Sequence, residues 1–173
     1  MITLRCTRKL LRRIGAPPAP ADTHPTTVLG DWYANLIFWR PQQLVLCMNE
    51  RSLLLVIVPA RDAKTLPQRF QDATIAHLLR IGIPQAAVRA EAREMEALQI
   101  GPTANRRVLG CMNDATFALP DLAGDGRYSS IEDLEMYFAE NIYSTTGYRR
   151  PREVALELFK AAGMTSRASS AGL

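Results

Sequence analysis

Apolar residues alternate with polar ones over roughly the first third of the chain and recur every three or four positions afterwards, a pattern of strands followed by helices. Ile2, Leu4 and Cys6 alternate with Thr3, Arg5 and Thr7, predicting a strand over Ile2 to Thr7. Lys9 to Ile14 reads as a short helix, stopped by Gly15 and by Pro17, Pro18 and Pro20. Ala16 to Thr27 holds almost no core-forming residue and reads as an extended surface connector. After Gly30-Asp31 the next strand sends Trp32, Ala34, Leu36 and Phe38 to one face and Tyr33, Asn35, Ile37 and Trp39 to the other. Arg40-Pro41-Gln42 turns it back into Leu44 to Met48. Asn49-Glu50-Arg51 then turns into Leu53 to Val58, which is apolar on both faces, as a strand covered on both sides should be.

Helical spacing takes over after Pro59. Leu66, Phe70, Ala73, His77 and Ile81 share a stripe that ends at Gly82, and Pro84 opens a second helix burying Val88, Ala92, Met95 and Leu98. A third runs from about Asn105, with Val108, Cys111, Met112, Ala115 and Leu119 in a stripe before Pro120 and the Gly124-Asp125-Gly126 turn. Ser129 with Glu132 reads as a capping box for Ile131, Leu134, Phe138 and Ile142, and Pro151 opens the last helix, which ends at Gly163. The acids Glu91, Glu94, Glu96, Glu132, Asp133 and Glu135 lie beside these stripes and read as solvated helix faces.

The expected fold is therefore α+β: an N-terminal antiparallel or mixed sheet of about four strands packed against C-terminal helices. One domain is expected over 1–163, including the connector at 16–27, with 164–173 a disordered tail. A chain of 173 residues, 47% hydrophobic, is the right size for one core. Its longest strongly apolar run, Leu53 to Ala60, is far short of the roughly 20 residues of a membrane-spanning helix, so no membrane partner is expected.

Charge changes the picture at one place. Arg5, Arg8, Lys9, Arg12 and Arg13 lie within the first thirteen residues without an acid among them, whereas the rest of the chain carries 16 basic and 17 acidic residues. The formal +4 is local, and a basic N-terminal edge calls for an anionic or acidic partner. Cys6, Cys47 and Cys111 are widely spaced among apolar neighbours, matching neither a disulfide framework nor a zinc site, so a reducing cytoplasm is the expected setting.

Common chemistries lack their residues. His24 and His77 are the two histidines and neither has ligand spacing to a partner, so no metal and no cofactor is expected. Neither Gly-x-x-x-x-Gly-Lys-Ser/Thr nor Gly-x-Gly-x-x-Gly occurs between a strand and a helix. The most site-like stretch is Thr103 to Asp114. On a helix, Arg106, Gly110, Asn113 and Asp114 fall opposite the apolar stripe, and the missing side chain at Gly110 leaves a notch for a small polar or anionic group. The plainer reading keeps Gly110 for close approach of the sheet, with Arg106, Arg107 and Asp114 in structural ion pairs.

Thr7 to Leu11, the Leu-Gly-Asp-Trp-Tyr-Ala-Asn run of Leu29 to Asn35, Asn49-Glu50, and Asn105 to Asp114 together resemble a family of small bacterial proteins that is a domain of unknown function. The similarity extends to about Phe159. In the family's usual motif Ser stands where this chain has Arg107 and Cys111, which speaks against Cys111 as a nucleophile and Arg107 as an essential contact. The resemblance implies a bacterial cytoplasmic protein and supplies no catalytic residues. Three readings remain open, and the sequence leans away from an enzyme. The first is a binding module that presents the basic edge and the Gly110 notch to a protein or a small polar ligand. The second is a nucleic-acid-associated protein acting through the N-terminal arginines. The third is an enzyme pocket built from Asp31, Asn35, Arg106 and Asp114. Asp31, Asn35, Asn105, Arg106, Gly110, Asn113 and Asp114 are the ligand-binding candidates. A homodimer is an open alternative, as a way to cover Leu53 to Val58.

Overall fold

A computed structural model of the chain describes residues 1–15, 24–39, 41–124, 126 and 128–164. Most of the expected connector (16–23), Arg40 of the expected turn and the tail from 165 onward lie outside the described residues.

Strands β1 (Ile2–Cys6), β2 (Trp32–Trp39), β3 (Gln42–Asn49), β4 (Leu55–Pro59) and β5 (Leu98–Pro102) form one mixed sheet in the order β4-β3-β2-β1-β5. β2, β3 and β4 make the expected antiparallel meander. β1 runs parallel to both β2 and β5, with Arg5 level with Tyr33 on one side and Gly101 on the other. The sheet thus has five strands where about four are expected, and β1 lies inside it. The N-terminal strand is not an edge.

The helices are α1 (Arg8–Ile14), α2 (Leu66–Arg80), α3 (Gln85–Met95), α4 (Arg106–Gly124), α5 (Ile131–Glu140) and α6 (Pro151–Ala161), with 3-10 turns at Ala63–Thr65 and Ser144–Thr146. The fold is α+β, with helices on both faces of the sheet. The alternation in β2 decides what each face meets. Trp32, Ala34 and Leu36 join Val45 and Val56 in packing against Leu10, Phe70, Val88 and Phe159, and the Trp32 and Phe70 rings meet edge-on at 5.4 Å. Tyr33 and Ile37 join Leu46, Leu55 and Ile57 in packing against Val108, Met112, Leu119, Leu134 and Phe138. Leu53 to Val58 is buried within the single chain, so no second copy is needed to cover it. No described helix is long and apolar enough to cross a membrane.

α4 continues through Pro120 to Gly124: the proline removes one donor from the ladder but sits on the exposed side, and the helix completes one more turn. Two local expectations are corrected. Ser130, not Ser129, caps α5, accepting from the Asp133 backbone N–H at 3.1 Å, while Ser129 bonds the Asp133 carboxylate. Glu91 and Glu135 are buried rather than solvated. Glu91 accepts from the backbone N–H of Val28 (2.7 Å) and Leu29 (3.0 Å), closing the chain onto α3. Glu135 Oε1 accepts the N–H of Ile57 at 2.8 Å, and the Arg69 guanidinium bonds the carbonyls of Pro59 and Arg61. Side chains of α2 and α5 therefore occupy polar groups that the outer strand β4 would otherwise present for pairing.

Candidate functional site

The polar motif residues meet where β1, β2 and β3 pass under the start of α4. Arg5 lies on β1 and Asp31 immediately before β2, with both side chains buried. The Arg5 guanidinium donates to Asp31 Oδ2 through Nε at 2.9 Å and a terminal nitrogen at 2.8 Å, while Oδ1 accepts from the Thr3 backbone N–H at 3.0 Å. Arg5 is thus consumed inside the sheet and leaves the expected basic surface, because β1 is flanked by β2 and β5.

Asn105 fastens α4 to this corner. Its backbone N–H donates to Tyr33 Oη at 3.1 Å, its amide donates to Glu50 Oε1 at 3.0 Å, and its carbonyl Oδ1 accepts from the Arg107 backbone N–H at 3.0 Å. Burial, followed by the adjacent Glu50 carboxylate, raises the Tyr33 phenol above its ordinary pKa. Asn35 Oδ1 accepts from Thr7 Oγ1 at 2.9 Å. Asn49 donates to the carbonyls of Leu29 and Asp31 and accepts from the N–H groups of Arg51 and Ser52, holding the β3–β4 turn. The polar residues of the family-like motifs bond mainly to one another.

The remaining motif residues lie elsewhere. Arg106, Gly110, Asn113 and Asp114 are exposed on the outward side of α4. No hydrogen bond or ion pair among the described residues joins Arg106 or Asp114 to Asp31 or Asn35, and the expected ion pairs of Arg106, Arg107 and Asp114 do not form. Among the described residues no atom lies within 4 Å of where a Gly110 Cβ would stand, so the glycine is not kept for approach of the strands.

The basic surface is carried by α1 instead. Leu10 is buried, which turns Arg8, Lys9, Arg12 and Arg13 outward. Lys9 Nζ sits 4.1 Å from the centre of the Phe38 ring, itself 61% exposed. Arg13 reaches the Ala60 carbonyl at 3.4 Å and lines a cleft of about 460 Å³ with Gln42, Gln43, Pro59 and Arg61. The 3-10 turn carrying exposed Lys64 packs against α1. Arg61 and Lys64 extend the cationic surface, and neither is distinguishable in sequence from an ordinary loop charge.

A second polar cluster went unread because its members stand on apolar stripes. Arg80 bridges His77 and Glu135, donating to Glu135 Oε2 at 3.0 Å and to His77 Nδ1 at 3.3 Å. Burial raises Glu135 to about 7, and burial followed by the Arg80 charge lowers His77 to about 4. His77 is therefore neutral at pH 7. Its 3.8 Å approach to Glu135 is no ion pair, and a proton on Nε2 finds no acceptor among the described residues. The positions of Glu135 between Ile131, Phe138 and Ala139, and of Glu91 between Val88 and Met95, are the signal that each faces the core.

No group of three or more His, Cys, Asp or Glu side chains among the described residues is arranged to hold a metal. The three cysteines are free and buried, and burial pushes the Cys6 thiol up to about 12. No curated protein matches the chain. The family described as a domain of unknown function, DUF6933, matches residues 3–154, which run from within β1 to the start of α6 and include every motif residue described above; the chain belongs to this family.

Proposed function

We propose that the chain is a binding module that takes a negatively charged partner on α1 and the adjoining end of the sheet. The supporting observation is a charge imbalance. Arg8, Lys9, Arg12, Arg13, Arg61 and Lys64 are exposed, and among the described residues no carboxylate pairs with any of them. Unpaired cations gathered on one surface raise the local concentration of an anionic partner and speed its encounter. The free, buried thiols support a reducing cytoplasmic setting, and the family resemblance supports a bacterial one.

Phe38 favours nucleic acid as the second reading, since an exposed ring beside Lys9 offers a base a stacking surface next to a phosphate contact. Fluorescence anisotropy with a labelled single-stranded oligonucleotide and a labelled oligoglutamate peptide, each across a salt series, separates the two. The binding-module reading expects Arg12→Glu/Arg13→Glu to weaken affinity about tenfold or more and to flatten the salt dependence. Preference for the oligonucleotide with a further loss in Phe38→Ala selects nucleic acid. Binding and salt slope unchanged by the charge reversal remove both readings.

A further inference from the structure

Among the described residues the outward stripe of α4 has no partner. Arg106, Gly110, Asn113, Phe117 and Asp121 recur at intervals of three or four on one helix face, opposite the buried Val108, Cys111, Ala115 and Leu119. Phe117 is 84% exposed, the most exposed of the large hydrophobic residues described. The glycine one turn before Asn113 weakens a helix interior, yet it admits no neighbour from the described residues. Arg106, Asp114 and Asp121 make no ion pair among the described residues.

These residues are ordered so that the stripe complements its own reverse. Laid antiparallel about a point between Asn113 and Asp114, two copies of α4 bring Gly110 of each opposite Phe117 of the other. The same register sets Arg106 against Asp121, and the Asn113 amide against the Asp114 carboxylate. A ring meets a gap, a cation meets an anion, and a donor meets an acceptor, each twice by symmetry. Antiparallel packing also pairs opposite ends of the helix dipoles. We propose that α4 is a homodimer interface, in which two copies pack antiparallel about a twofold axis with each Phe117 seated over the other's Gly110. A shallow groove along Asn113, Thr116, Phe117, Pro120 and Asp121 flanks the ring and receives the facing helix. The helix has 19 residues and spans about 28 Å, so a contact confined to it is smaller than the roughly 800 Å² per partner of a standard interface, and the dimer is expected to be a weak, reversible one.

This surface is separate from the cationic one, and the proposal stands whichever partner that surface takes. Sedimentation equilibrium of the full chain from about 1 µM to about 1 mM tests it. A reversible monomer–dimer equilibrium is expected, weakened at least about tenfold by Phe117→Lys, since a buried charge replaces the ring. Arg106→Asp and Asp121→Arg should each weaken it, and the double variant should recover most of the loss by restoring the pair with the signs exchanged. All three positions are exposed, and circular dichroism melts verify that each variant is folded. A monomer across the whole range, a dimer indifferent to Phe117→Lys, or a double variant no better than the singles overturns the proposal. A monomer whose Phe117 is instead needed to bind a foreign helix does so too.

Discussion

Arg5, on β1, and Asp31, the residue just before the neighbouring parallel strand β2, lie with the guanidinium 2.8 Å from the carboxylate, and both are buried. Removing one partner leaves the other desolvated and alone, which typically costs about 3–5 kcal/mol. Asp31→Ala and Arg5→Met should each lower stability by about 3 kcal/mol in urea unfolding at pH 7. The double variant Arg5→Met/Asp31→Ala should cost less than the sum, because neither charge is then left buried without its partner. A coupling below about 0.5 kcal/mol would mean that the pair is solvated.

This pair also shows where the sequence runs out. Alternation placed Arg5 correctly on the face opposite Ile2 and Leu4, yet no local pattern says that β5 will pair with the far side of β1 and convert a strand edge into an interior position. β5 itself, Leu-Gln-Ile-Gly-Pro, lacks a strand signal and exists because β1 offers it a ladder. The meander was legible because its strands are adjacent in sequence and strongly apolar. The corner site was half legible: the motifs contain Thr7, Asp31, Tyr33, Asn35, Glu50 and Asn105, but which of these bond to one another, and that Asp31 takes Arg5, follows only from how the strands and α4 are placed. Arg106, Gly110, Asn113 and Asp114 were read on one helix face, and their separation from Asp31 is a matter of how α4 lies on the sheet.

Gly30 and Gly110 should respond to alanine with opposite sign. Gly30 has φ +74°, and a Cβ there would stand 2.9 Å from Arg51 Nε, so Gly30→Ala is expected to destabilise by about 1 kcal/mol or more. Gly110 lies in regular helix with open space around it, so Gly110→Ala should stabilise the dilute monomer by about 1 kcal/mol. Thermal melts at low micromolar concentration read both. A loss of stability in Gly110→Ala would show that something does press on that position.

Glu135 and His77 make opposed contributions to stability as pH changes. Glu135 titrates at about 7 in the folded chain against 4.5 as a free side chain, so between those values the folded state holds the proton more tightly and its contribution falls as pH rises. His77 titrates at about 4 against 6.5, so between those values the unfolded state holds the proton more tightly and its contribution falls as pH drops. From 4.5 to 6.5 the two slopes oppose, and this pair should leave wild-type stability nearly flat there. Glu135→Gln removes one arm, and stability should then rise with pH from about 4 to 6.5; His77→Gln removes the other, and stability should fall from about 4.5 to 7, by at most about 3 kcal/mol in either case. Urea unfolding at half-unit pH steps measures the slopes. If all three proteins gave the same pH profile, the two groups would have to titrate alike in the folded and unfolded chain, and the burial that separates α5 and α2 from water at this cluster would not govern their protons.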